Sequence, residues 1–383
     1  MKIDNLIWNL DKGWQFNKTE IENKENVAIL FIFGTAKVMK ENLFFNDIRN
    51  IYPNAILVGG SSAGTIYEDE IVDESHIIAS ALCFKKSKVK LAIENIHDIK
   101  DSFNIGKRLV SKLSADDLKH IIVLTDSINL NGSMLVEGLN ANIDSEIPIS
   151  GGILGEETKT FANAYVLANK PAQTSITIAI GFYGEIESFY GSDSGWDDFG
   201  TERVITKSTG NIVYEIDGEP ALDLYKKYLG DLADKLPASG LRFPLNIWNP
   251  DNNEKPVIRT LMAVDEVEKS LTFVSDVPQG FKAKLMKTNI DGLIDGSERA
   301  IQQTEFIPTE NKSAYCLAVS CIGRQLILDQ LTEEELVVID DYIGDNVELT
   351  GFYSYGEIAP FSKELKNCRF HNQTMTVTVI TEK

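Results

Sequence analysis

Gly60-Ser61-Ser62-Ala63-Gly64 fits G-x-S-x-G, the spacing that sets a serine on a strained strand-to-helix turn for nucleophilic attack. A serine hydrolase built on Ser62 is therefore one reading of the chain. It needs an acid and a histidine downstream, and the candidate His371 lies in the other half of the sequence. The stretch Thr65 to Ser75 also opposes it, because the acidic run Glu68-Asp69-Glu70 stands where an amphipathic helix belongs. No G-K-[ST] follows the glycines, which argues against a P-loop. Recognition chemistry is better supplied. Arg324 ends an apolar run and offers a fork of donors to a carboxylate, while Glu357 closes a tyrosine-rich loop and offers an anion to an ammonium. Tyr353 and Tyr355 supply apolar walls with polar tips, and Ser61, Ser62, Glu156 and Asn372 complete the candidate ligand-binding set. The plainer alternative is that Arg324 and Glu357 pair with each other or cap nearby backbone. His371 has two readings as well: a hydrogen-bonded structural residue, or a haem ligand with an exposed ring nitrogen beside an apolar slot.

The elements that must position these residues recur three times. A strand from Val27 to Phe33 leads to a helix with Phe44, Ile48 and Ile51 at helical spacing, stopped by Pro53, and then to a second strand that enters Gly59-Gly60. Ile77 to Phe84 closes the unit. The order returns from Ile121-Ile122-Val123-Leu124-Thr125-Asp126 through Gly151-Gly152 to Ile176–Phe182. It returns again from Tyr315 to Ser320, through a helix opened by the capping box Thr332-x-x-Glu335, to Gly351. The last strand, Thr374 to Val379, alternates as a half-buried strand does. Strands that run into glycine turns let the backbone bend and approach a ligand, and in open α/β sheets ligands sit beyond the carboxyl ends of strands. The three turns, with Thr125-Asp126 and Cys321 to Arg324, are thus expected to wall one shared hollow. The fold class is α/β, with two domains built from repeated strand-helix-strand units and mixed sheets.

Composition narrows the function. The 383 residues are 43% hydrophobic and 25% charged, the balance of a globular protein with a real core. A formal charge of −20 repels phosphate backbones and anionic lipid, so nucleic acid is not an expected partner. Neither a leader nor an apolar run of spanning length is visible, which points to a cytoplasmic protein off the membrane. Cys83, Cys316, Cys321 and Cys368 are scattered through apolar runs without zinc spacing, as reduced, buried thiols are.

Turn formers from Gly191 to Gly200 place a boundary there, giving domains 1–200 and 201–383. At this point the chain resembles the FIST sensory domains of bacterial and some eukaryotic signalling proteins. The carrying motifs in the first half are Gly59 to Gly64 and Gly151 to Glu156. In the second half they are Ile216 to Ala221, Pro256-Val257-Ile258-Arg259, Val277 to Gly280, Ser320 to Arg324, Gly351 to Ile358 and Phe370 to Thr374. The resemblance implies a FIST N-like half and a FIST C-like half that together bind a small ligand, an amino acid or a derivative, without catalysis or cofactor. It also implies a separate signalling partner such as a histidine kinase, since no output module is visible before Lys383. Some proteins with this domain are haem-binding nitric-oxide sensors, which gives the alternative in which His371 is a haem ligand.

Overall fold

Strands covered on both faces read as unbroken apolar runs. In the computed structural model, which describes residues 1–162, 164–251, 255–309, 312–361 and 366–383, three such runs are the central strands Ile29–Gly34, Leu118–Thr125 and Ala314–Cys321. After a helical connection each gains a parallel neighbour: Ile56–Ser61, Ile149–Ile153 and Val347–Ser354. On the other side each is flanked by an antiparallel strand: Ile77–Cys83, Ile176–Tyr183 and Met375–Glu382. A further antiparallel strand lies beyond that one in every copy, namely Lys2–Asn9, Lys88–Asn95 and Ile186–Asp193. The repeat in the sequence is therefore three copies of one mixed sheet.

Each copy lends the short strand after its glycine turn to a neighbour. Thr65–Tyr67 of the first copy pairs with Val347–Ser354 of the third. Val166–Ala168 of the second pairs with Ile56–Ser61 of the first, and Gly356–Pro360 of the third pairs with Ile149–Ile153 of the second. The loan is cyclic, so the three sheets form a closed ring. Their inner faces make one core, in which Phe31 stacks on Tyr315 and Phe33 on Phe352, both at a centroid separation of 5.0 Å. Outer faces pack on helices, as Leu30 and Ile32 do against Ile48 and Met39.

Gly59, Gly151 and Gly351 occupy matching places in the three sheets. A Cβ there would lie 1.9, 2.0 and 1.8 Å from the carbonyl oxygens of Ile32, Val123 and Ala318 on the adjoining strand. The parallel pair at the heart of each copy thus needs a residue without a side chain.

The third copy carries an insertion between Ile186–Asp193 and the helix Ile290–Gln303. It is an eight-stranded antiparallel sheet whose spatial order runs Val257–Arg259, Leu245–Trp248, Lys282–Lys287, Asp197–Thr209, Ile212–Ile216, Ser270–Phe273, Leu261–Asp265, with Glu219–Pro220 paired to Ile212–Ile216. The helix Ala221–Leu229 covers it.

The strand Asp197–Thr209 runs through residue 200, and Ile186–Asp193 pairs with Met375–Glu382. Several local expectations are corrected. Thr332 does not open a capping box: its hydroxyl donates to the Asp329 carbonyl, and the helix spans Glu334–Ile343 with Glu335 turned inward. The final strand alternates in type yet is buried throughout, because its threonines find partners inside the protein, on the adjoining strand and on the second copy. Thr376 donates to the Val319 carbonyl at 3.1 Å and Thr378 to the Ser150 hydroxyl at 2.9 Å. The acidic run after Ser62 is a hairpin between Thr65–Tyr67 and Glu70–Ile71. Among the described residues, no helix is long and apolar enough to cross a membrane.

Candidate functional site

The three glycine turns do meet, but through direct hydrogen bonds and not around a hollow. The Ser61 hydroxyl donates to the Gly155 carbonyl at 2.6 Å and accepts from the Tyr165 amide at 2.9 Å, latching the first copy to the second. Ala63 N–H reaches the Tyr353 carbonyl at 3.2 Å, and Tyr355 N–H reaches that of Ile153 at 3.0 Å. Ser62 is fully buried, and its hydroxyl accepts the Gly64 amide at 2.9 Å and folds back onto the Gly64 carbonyl. No histidine among the described residues bonds to it, and a strand follows it instead of a helix. The elbow motif thus lacks both the base and the geometry that an acyl-transfer serine uses.

Arg324 is also fully buried and structural in its contacts. Its Nε and Nη2 donate to Glu335 Oε2 at 2.9 and 2.7 Å, Nη1 to the Ser194 carbonyl at 2.5 Å, and Nη2 to the Leu293 carbonyl at 2.7 Å. Glu335 Oε1 accepts the hydroxyls of Tyr353 and Ser320 at 2.7 and 2.9 Å. Arg324 and Tyr353 therefore spend their polar groups on Glu335, a residue that its sequence context hides at the start of a helix. Glu357 does not pair with Arg324. It accepts the Ser354 hydroxyl at 2.6 Å and the Thr374 amide at 3.1 Å, and burial pushes its carboxyl up to about 8. Asn372 is buried, taking the Ser275 hydroxyl at 3.1 Å and donating to the His371 carbonyl.

His371 does not suit haem. Its Nε2 lies 3.0 Å from the Ala359 carbonyl, its ring meets Phe361 edge-on at 4.9 Å, and burial lowers its imidazole to about 4. The ring nitrogen that would face iron is occupied by backbone.

Glu156 and Tyr355 are brought together, and Tyr355 borders a hollow. The Tyr355 hydroxyl donates to Glu156 Oε1 at 2.7 Å, while the amides of Thr158 and Thr160 reach the same carboxylate at 2.7 and 2.5 Å. Burial would raise Glu156, but these hydrogen bonds outweigh it and hold the carboxyl down to about 2. Tyr355 stacks on Phe161 at 4.4 Å and lines a cavity of about 300 Å³. Across that cavity stand Asn131, Asn211, Ser275 and Asp276, with Ile153 at the tip of the second glycine turn. The Asn131 amide donates to both Asp276 carboxylate oxygens, at 3.3 and 3.1 Å, which ties the second copy to the insertion. Asp276 and Asn131 are not singled out by sequence, although the Val277 to Gly280 motif adjoins Asp276 directly.

The chain is 23% identical to an uncharacterized protein of Methanocaldococcus jannaschii over 95% of its own length and 75% of that protein's. A cyanuric acid hydrolase from A. caulinodans aligns over 94% of this chain and 91% of that one at 6% identity and a TM-score of 0.36, a likeness too slight to carry an argument. The FIST N domain matches residues 28–219 and the FIST C domain matches residues 221–360, so the chain belongs to the FIST family of sensory, small-ligand-binding domains.

Proposed function

We propose that the protein is a sensory module whose ligand, an amino acid or a derivative, sits in the cavity beside Tyr355. The observation that supports this is the origin of the walls. Asn131, Phe161 and Asn211 belong to the FIST N match, whereas Ser275, Asp276 and Tyr355 belong to the FIST C match. A molecule that touches both halves with unequal affinity in two arrangements biases one of them, which is what a signal requires. The Asp276 carboxylate suits an ammonium, the amides of Asn131 and Asn211 suit a carboxylate, and the aromatic pair Tyr355 and Phe161 suits a side chain. The cavity lies at the lower end of the range typical of small-molecule sites, matching a ligand of this size. In this reading the response passes to a separate cytoplasmic partner, for which a histidine kinase is the class.

Thermal-shift screening against amino acids and their derivatives tests the proposal, since a ligand at about 100 times its Kd adds ~2.7 kcal/mol of stability. The expected result is a shift that Asp276→Asn and Phe161→Ala both reduce. No shift with any member of the panel, or a shift that both variants leave intact, overturns it.

A further inference from the structure

A second hollow, of about 380 Å³, lies against the other side of Asp276 and Phe370, which line both spaces. Its floor holds Arg259, with Arg369 and Lys255 on the same wall system. Arg259 is 7% exposed. Nε donates to the Asp276 carbonyl at 2.8 Å, and Nη1 donates to the Ile258 and Phe370 carbonyls at 2.9 and 3.3 Å. Among the described residues Nη2 has no acceptor and Arg259 makes no ion pair within 4.0 Å. Buried guanidinium groups ordinarily face an acid, as Arg324 faces Glu335 in this same molecule. In a chain of formal charge −20, acids are plentiful, yet this cation is held by carbonyls at the edge of a space.

The carbonyl clamp fixes the guanidinium before any ligand arrives, and a fork held in place loses little freedom on binding. Burial draws the Arg259 proton affinity down to about 10, with Arg369 acting in the same direction and Asp276 against it. The rest of the lining defines the anion. Lys255, Arg259 and Arg369 line it together with Glu137 and Asp276, and the two acids disfavour a dianion. Val136, Ile247 and Phe281 give the remaining wall an apolar character.

We infer that this hollow is a second binding site, for a small monocarboxylate with an apolar body, whose acid group seats on Nη2 of Arg259 with Arg369 and Lys255 beside it. It stands independently of what the cavity beside Tyr355 takes. The insertion supplies Arg259 from the three-residue strand Val257–Arg259, and the strand Cys368–His371 of the third copy supplies Arg369.

Isothermal titration of the full chain with phenylacetate, hexanoate, phenylacetamide and inorganic phosphate tests the assignment. Saturable binding of phenylacetate or hexanoate is expected, with the neutral amide and phosphate weaker by at least about tenfold, the worth of one charge-assisted hydrogen bond. Arg259→Lys keeps the charge and loses the fork, so carboxylate binding falls by about tenfold or more. Because Arg259 also holds three carbonyls, the double variant Arg369→Gln/Lys255→Gln provides the companion measurement, retaining the fold and weakening the carboxylate. No binding by either carboxylate in the millimolar range overturns the inference. So does equal binding of acid and amide, or unaltered carboxylate binding by the folded double variant.

Discussion

Glu335→Gln is the sharpest test of how this molecule uses its buried charges. Glu335 and Arg324 are both fully shielded from solvent. The carboxylate receives Arg324 Nε and Nη2 at 2.9 and 2.7 Å and Ser297 Oγ at 3.2 Å on one oxygen. On the other it receives Ser320 Oγ and Tyr353 Oη at 2.9 and 2.7 Å. A glutamine removes the charge and turns one acceptor into a donor that faces other donors. The guanidinium is then left with the carbonyls of Ser194 and Leu293 and the Ser297 hydroxyl. Breaking one side of a buried ion pair costs about 3–5 kcal/mol, a large fraction of the ~5–15 kcal/mol that holds a typical domain together. Urea unfolding followed by tryptophan fluorescence should show a loss of that size. Replacing both partners, as Arg324→Met with Glu335→Leu, should recover most of it, because an apolar pair of similar volume carries no desolvation cost. A loss below about 1 kcal/mol for Glu335→Gln refutes the reasoning. A folded Arg324→Met protein that has lost only its ligand response does so too, since Arg324 would then serve the ligand.

The buried Glu357 carboxyl, raised to about 8 from 4.5, makes stability depend on pH in a stated direction. Between those two values the unfolded chain releases a proton that the fold retains, so stability falls as pH rises from about 4.5 and levels off above about 8. Glu357→Gln should flatten that part of the stability curve, and an unchanged slope in denaturation series across this interval counts against the assignment. Gly351→Ala brings a Cβ to 1.8 Å from a carbonyl of the partner strand, whereas Gly218→Ala meets nothing within 4 Å and strains only a φ of +78°. The first should cost more than about 3 kcal/mol and the second about 1 kcal/mol, and the reverse order would show that the strand contact does not dictate glycine.

The three-fold unit is legible in the chain because unbroken apolar runs such as Ile29–Gly34 and the glycines after them repeat in order. What escapes is where partners lie. Thr65–Tyr67 is three residues long and finds its ladder on Val347–Ser354, so no local pattern announces the ring. Glu335 reads as a helix-capping residue by its spacing from Thr332, yet its carboxylate points inward to Arg324, a choice made by tertiary packing. The same holds for the expected ligand set. Tyr355 lines a cavity and holds Glu156, while Ser61 latches the first copy to the second, Asn372 meets the insertion, and Ser62, Arg324, Tyr353 and Glu357 are spent on groups within their own copy. Polar residues beside a glycine turn carry the same sequence signature whether they meet a ligand or a neighbouring turn. Arg259 shows the converse: a short strand ending in one arginine gives no hint that backbone carbonyls hold its side chain, with no acid paired to it among the described residues.

The cyclic loan of strands also governs the timetable of synthesis. Met375–Glu382 inserts between Ile186–Asp193 and Ala314–Cys321, so the third sheet cannot close until the ribosome has moved about 180 residues past Ile186–Asp193. At ~5–20 residues per second, that strand edge waits roughly 10–40 s for its neighbour. An unpaired edge is an invitation to the wrong chain. Nascent polypeptides on a crowded polysome should therefore depend on a chaperone most strongly in this interval, and slowing translation downstream of Asp193 should raise the insoluble fraction.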